Sequence, residues 1–172
     1  MVPEVGGFRE QESTDSVRSK TALGSHRFVP REVEHRGAEI NYLSSVLEPI
    51  TNGEPADTAI VTGASGAGKT CISKFVTERL REEVLSVETT YVNCWRNYTR
   101  FRTLYQILDN LGATIDIHRQ STPHDELVDR LQQHDGPRTV VILNEVNQLE
   151  DPSVIYDFYI LLQFAIICIA NR

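Results

Sequence analysis

Residues Gly63-Ala64-Ser65-Gly66-Ala67-Gly68-Lys69-Thr70 gather three glycines, an ammonium and two hydroxyls within one octet of a 172-residue chain. That spacing, Gly-x4-Gly-Lys-Thr, is chemistry for a polyphosphate. Gly63, Gly66 and Gly68 let the backbone wrap close to an anion in conformations that a Cβ obstructs, so that successive N–H groups face phosphate oxygens. A helix starting near Lys69 adds its N-terminal dipole and unpaired amides. Lys69 supplies a mobile charge for the β and γ phosphates, and the Thr70 hydroxyl is a ligand for Mg²⁺. Ala64, Ser65 and Ala67 serve as spacers that line the site with backbone alone. The implied ligands are ATP or ADP with Mg²⁺; the plainer alternative is a glycine-rich turn with an exposed lysine.

Hydrolysis at such a site needs carboxylates at the end of a neighbouring strand, one to orient Mg²⁺ and its waters and one to polarise the attacking water. The run VVIL followed by Asn144-Glu145-Val146-Asn147 occupies that place. Glu145 retains the chemistry of a catalytic base, although a glutamate at a strand end is also commonly just solvated. Asn144 stands at the metal-facing position where aspartate is expected. It can accept a hydrogen bond from a metal-bound water, but it brings no charge to offset Mg²⁺. Metal affinity and hydrolysis should therefore both suffer, whereas phosphate binding through the loop need not.

Positioning these groups requires a strand before the octet and a helix after it. Thr58–Thr62 is a short β-rich run that suits a buried strand, and Lys69–Glu83 carries Ile72, Phe75, Val76 and Leu80 at helical spacing. Val87–Cys94 predicts a second strand, Phe101–Leu111 a helix closed by Gly112, and His124–His134 a further helix. Thr139–Leu143 and Phe164–Ala170 read as strands, with a helix over Pro152–Leu162 between them. Upstream, Ile40, Leu43, Val46 and Leu47 mark an amphipathic helix that ends at Pro49, and Thr51–Asp57 forms a loop. Strands alternating with helices imply a parallel sheet covered on both faces. Residues 1–25, polar and poor in large apolar side chains, are expected to be a disordered tail, and 26–172 a single domain.

Composition narrows the classes further. The net charge of −7 speaks against a chain that coats nucleic acid nonspecifically, because neutralising phosphates requires clustered Lys and Arg. Lysine is scarce, three residues against fourteen arginines, a bias that suits a salt-rich cytoplasm. The longest apolar run, 160–170 broken by Gln163, falls short of the roughly 20 residues that cross a bilayer, and the polar N-terminus lacks a signal-peptide core. The expected location is the cytoplasm, with no membrane partner. Cys71, Cys94 and Cys168 show no pairing pattern and read as small buried hydrophobes; the five histidines lack ligand spacing. No metal other than Mg²⁺ is expected.

From about Phe28 onward the chain resembles the archaeal relatives of the eukaryotic origin-recognition complex and its cell-division-cycle loader, AAA+ replication initiators. The residues that carry the resemblance are FVPREVEHRGAEINYLSSVLEPI, GASGAGKT, YVNC, VVILNEVNQLEDPSVIYDFY and CIANR. The resemblance implies a P-loop NTPase of the AAA+ type, an α/β three-layer sandwich with a parallel sheet. It implies that the segment before the P-loop lies near the adenine, which makes Val29, Pro30, His35 and Arg36 rim residues; an ordinary helix start with exposed charges is the alternative. It implies that Asn171 senses the γ-phosphate, unless it belongs to a frayed end. The family's arginine finger, helical lid with a second sensor, and winged-helix domain have no counterpart here, so the domain is expected to be C-terminally truncated.

Trp95, Arg96, Tyr98, Arg100, Phe101 and Arg102 interleave aromatic and basic side chains, a surface for the backbone of origin DNA or simply a helix start with a half-buried Trp. The expected function is ATP binding in DNA replication initiation, with weak or absent hydrolysis by the chain alone and other initiator subunits as partners. A noncatalytic module or degenerate remnant docking on a full-length initiator is the alternative. A small-molecule kinase fits least, for want of a basic lid.

Overall fold

The computed structural model describes residues 36–118 and 121–172. The polar stretch 1–25 and the rim residues Val29, Pro30 and His35 lie outside the described residues. Within them, α1 (Gly37–Thr51) precedes β1 (Ala59–Gly63) and α2 (Lys69–Glu83). There follow β2 (Val87–Asn93), α3 (Arg100–Asn110), α4 (His124–Gln132), β3 (Arg138–Asn144), a 3₁₀ turn (Val146–Gln148), α5 (Ser153–Asp157) and β4 (Phe164–Asn171).

The four strands form one parallel sheet in the order β1-β4-β3-β2. Alternating side chains divide its apolar content between two layers. Val141, Leu143, Ile166 and Cys168 face Leu104, Leu108, Leu127 and Leu131 of α3 and α4, together with Val154 of α5. On the other face, Val140, Ile142, Ala165, Ile167 and Ile169 meet Leu43, Leu47 and Ile50 of α1 and Ile72 and Val76 of α2. The result is the expected α/β/α sandwich. β3 and β4 are covered on both faces, which explains why VVIL and FAIICIA are continuous apolar runs. Each fully buried Leu or Ile contributes about 1.5–3 kcal/mol of transfer free energy.

Three local expectations need correction. α1 does not stop at Pro49 but runs on to Thr51, because Ile50 is drawn into the core and the last turn closes through Asn52 N–H to the Pro49 carbonyl and Gly53 N–H to the Ile50 carbonyl. The helix expected over Pro152–Leu162 is α-helical only for Ser153–Asp157. The chain then continues in tighter turns, with Tyr159 N–H to the Tyr156 carbonyl and Leu161 N–H to the Phe158 carbonyl. Val154, Phe158 and Leu161 are buried by either winding, so apolar spacing could not tell them apart. β1 is not a buried strand: among the described residues it lies at the sheet's edge, and Ile60 is 67% exposed.

No helix of the described residues is long and apolar enough to cross a membrane.

Candidate functional site

β1 delivers the chain to Gly63, the loop turns through residues 64–68, and α2 starts at Lys69 with Gly68 as its N-cap. Gly66 and Gly68 both sit in the left-handed region, at φ of 78° and 80°. A Cβ at either would meet nothing within 4 Å, so the glycine requirement here is conformational. The expectation of a backbone conformation that a Cβ obstructs agrees with these two φ values, while at Gly63 a Cβ would make only ordinary contacts, 3.7 Å from Lys69 Cδ.

Lys69 is only 8% exposed. Its ammonium donates to the carbonyls of Gly63 at 3.0 Å and Ala64 at 2.7 Å, which folds the side chain back over the loop. A charge so desolvated is strongly attracted to any anion that replaces those carbonyls. One residue on, the Thr70 hydroxyl donates to Asn144 Oδ1 at 2.8 Å and ties the first turn of α2 to the end of β3.

At the strand ends the chain is unusual. Glu145 adopts φ 61°, a left-handed conformation rare for a residue with a side chain, and caps the 3₁₀ turn that begins at Val146. Strain of this kind concentrates at functional sites. The neighbouring strand places Asn171 in register with Gly63, and Arg172 N–H bonds the Gly63 carbonyl, so Asn171 belongs to the sheet and not to a frayed end. Its backbone N–H donates to Asn147 Oδ1 at 3.3 Å.

One open cavity of about 330 Å³ brings these groups together: residues 65–71 on one side, Asn144, Glu145 and Asn171 on the other. Cys71 lines it and is half-buried, which corrects the expectation that all three cysteines are buried; Cys94 and Cys168 are. Below the strand ends, burial and then the neighbouring Cys168 and Glu145 push the Cys94 thiol up to about 12; burial pushes Cys168 up to about 11. These two thiols are inert apolar filling.

Fitness for Mg²⁺ can be judged from the donors. Thr70 Oγ1 and Asn144 Oδ1 are hard oxygens 2.8 Å apart. Hard oxygen donors are the kind Mg²⁺ takes, so Thr70 and Asn144 would hold it. The pair fits as two neutral donors, with Glu145 the one carboxylate among the cavity-lining residues.

The Arg36 side chain is 42% exposed but has partners. It donates through Nη2 to the Ala67 carbonyl at 3.1 Å and through Nη1 to Glu39 at 3.1 Å. In the aromatic and basic stretch, Trp95 is 64% and Tyr98 42% exposed, with the Arg102 guanidinium 5.4 Å from the Tyr98 ring. Arg100 instead forms a two-pronged pair with Asp157, at 2.8 and 2.7 Å, and Phe101 packs on the core. Sequence spacing gave no signal for this pair, nor for Asn147.

The model of the family described as "AAA domain" matches residues 53–170. ORC1-type DNA replication protein 9 of Halobacterium salinarum is 83% identical over 145 residues, 84% of this chain and 41% of that protein, so the chain spans less than half of this relative's length. The structure of the Aeropyrum pernix ORC1 protein in complex with DNA superposes with a TM-score of 0.70 at 27% identity, covering 86% of this chain and 42% of that one. The A. pernix ORC2 protein, solved as ADPNP-ADP complexes, shares the fold with a TM-score of 0.70 at 19% identity, over 86% of this chain and 44% of that one.

Proposed function

We propose that this chain, which belongs to the AAA domain family and has ORC1-type DNA replication proteins as its sequence relatives, is the nucleotide-binding part of a replication initiator, residues 26–172 forming the domain. It holds ATP or ADP on the loop 63–70 and hydrolyses ATP weakly or not at all unaided. The observation that carries this is the convergence of the buried Lys69, Thr70, Asn144, Glu145 and Asn171 on one cavity.

The division of labour follows from the chemistry of each group. Backbone N–H groups of 64–70 and the α2 N-terminus bind the phosphates, and the Lys69 ammonium leaves its two carbonyls to meet the terminal oxygens. Thr70 and Asn144 would hold Mg²⁺, which supplies charge neutralisation between the phosphates. Glu145 orients and deprotonates a water, and Asn171 donates to the γ-phosphate. Asn144 contributes no negative charge, so the metal is held weakly and turnover is slow. Trp95, Arg96, Tyr98 and Arg102 meet the backbone of origin DNA, and the setting is the cytoplasm.

Thermal unfolding with and without ATP·Mg²⁺ tests nucleotide binding, since a ligand of the folded form alone must raise the midpoint. An unmoved midpoint at millimolar ATP would sink the assignment, and brisk turnover by the isolated chain would refute the impaired metal position.

A noncatalytic module that docks on a full-length initiator is favoured by one observation. Tyr156 and Tyr159 stack on each other at 6.2 Å while both are largely exposed. Lys69→Ala separates the two: loss of initiator binding supports the nucleotide-dependent role, and indifference supports the scaffold.

A further inference from the structure

A loop that turns its N–H groups inward toward an anion turns its carbonyls outward, and each outward carbonyl needs a donor. For Ala67 that donor comes from 31 residues upstream: Arg36 Nη2, at 3.1 Å. The Ala67 carbonyl and the Gly68 N–H are the two ends of one planar trans peptide, so a partner fixed on the oxygen fixes the direction in which the N–H points. Gly68 lies at φ 80° and Gly66 at φ 78°, which places this peptide in the part of the loop with most freedom to rotate. A cationic donor also polarises the peptide and strengthens the N–H as a donor to phosphate. Glu39 grips the other arm of the guanidinium at 3.1 Å and holds the fork in place.

We propose that Arg36 is a positioning residue for the phosphate loop, aligning the Ala67–Gly68 peptide so that the Gly68 N–H faces the polyphosphate. This rests on residues 63–70 being a polyphosphate site. It differs from a place on the adenine rim in the part of the ligand that feels its loss. A rim residue affects nucleotides only, whereas a loop-positioning residue affects a bare polyphosphate equally.

Calorimetric titration of the chain and of Arg36→Met with ATP and with inorganic tripolyphosphate distinguishes these. Both ligands should weaken by the same factor, about three- to tenfold for a half-exposed charged donor, while the unfolding midpoint without ligand stays where it was. Arg36→Lys should recover part of the loss for both ligands, because an ammonium can donate to the same carbonyl. Undiminished affinities in Arg36→Met, or a loss confined to ATP, would overturn the proposal alone. If the unsubstituted chain bound neither ligand, the polyphosphate site itself would fall, and this role with it.

Discussion

The loop 63–70 and the strand ends at Asn144, Glu145 and Asn171 face each other across one cavity, but they offer a ligand different kinds of group. On the loop side the groups are mostly backbone, peptide N–H groups and a helix terminus, with Lys69 and Thr70 as the functional side chains. On the strand side it is all side chain, and there a change of one atom, oxygen to nitrogen in Asn144, removes a unit of charge. A backbone cradle tolerates drift in its spacer residues, whereas a side-chain site is only as good as its individual functional groups. In the proposed function this contrast would leave the phosphate grip intact and the metal grip weak.

The largest expected effect lies on the loop side. Lys69→Ala should weaken ATP about 100-fold by titration, the loss of a charged hydrogen-bonding group worth about 2.7 kcal/mol. A loss no greater than that in Asn144→Ala would dissolve the contrast. Next comes the support of the strand side: Arg100→Met leaves Asp157 unpaired, with that carboxylate side chain only 13% exposed, and should cost about 2 kcal/mol in chemical denaturation. An unchanged midpoint would show the segment after Glu145 to be held by packing alone.

Asn144→Asp restores the missing charge and should increase the Mg²⁺ dependence of ATP affinity about tenfold, with little change in metal-free binding. Equal gains with and without Mg²⁺ would mean that the position does not face the metal. The smallest effect concerns thiols. Cys94 and Cys168, buried with pKa values pushed to about 12 and 11, should resist alkylation at pH 8 in the folded protein, and Cys71 should react, slowed a few-fold by ATP. Labelling of Cys94 ahead of Cys71 would show the strand ends to be the looser half.

The two halves also differed in how far the sequence revealed them. The loop is a contiguous string whose flanking strand and helix were legible, and α2 runs over the same residues, Lys69–Glu83, that its apolar spacing indicates. The central strands were legible for the same local reason, since parallel strands buried on both faces are apolar throughout. What escaped depends on contacts between distant residues. Ile60 looks like a core residue until the order of strands puts β1 at an edge. Arg36 meets Ala67, Arg100 meets Asp157 and Asn147 meets Asn171 through side chains whose partners no periodicity encodes. Pro49 carries a strong stop signal that the burial of Ile50 overrides.

The order β1-β4-β3-β2 has a consequence for how the molecule assembles. Among the described residues β1 pairs with β4 alone, Ala59 opposite Ile167 and Gly63 opposite Asn171, so the strand that carries the loop 63–70 finds its ladder there only when a segment made more than 100 residues later inserts beside it. During synthesis the β2–β3 pair can zip first, while β1 waits with its glycine turn unanchored. Insertion of β4 between β1 and β3 and alignment of Asn171 with the loop are then one event, and a ribosome-bound chain lacking β4 should be unable to hold nucleotide.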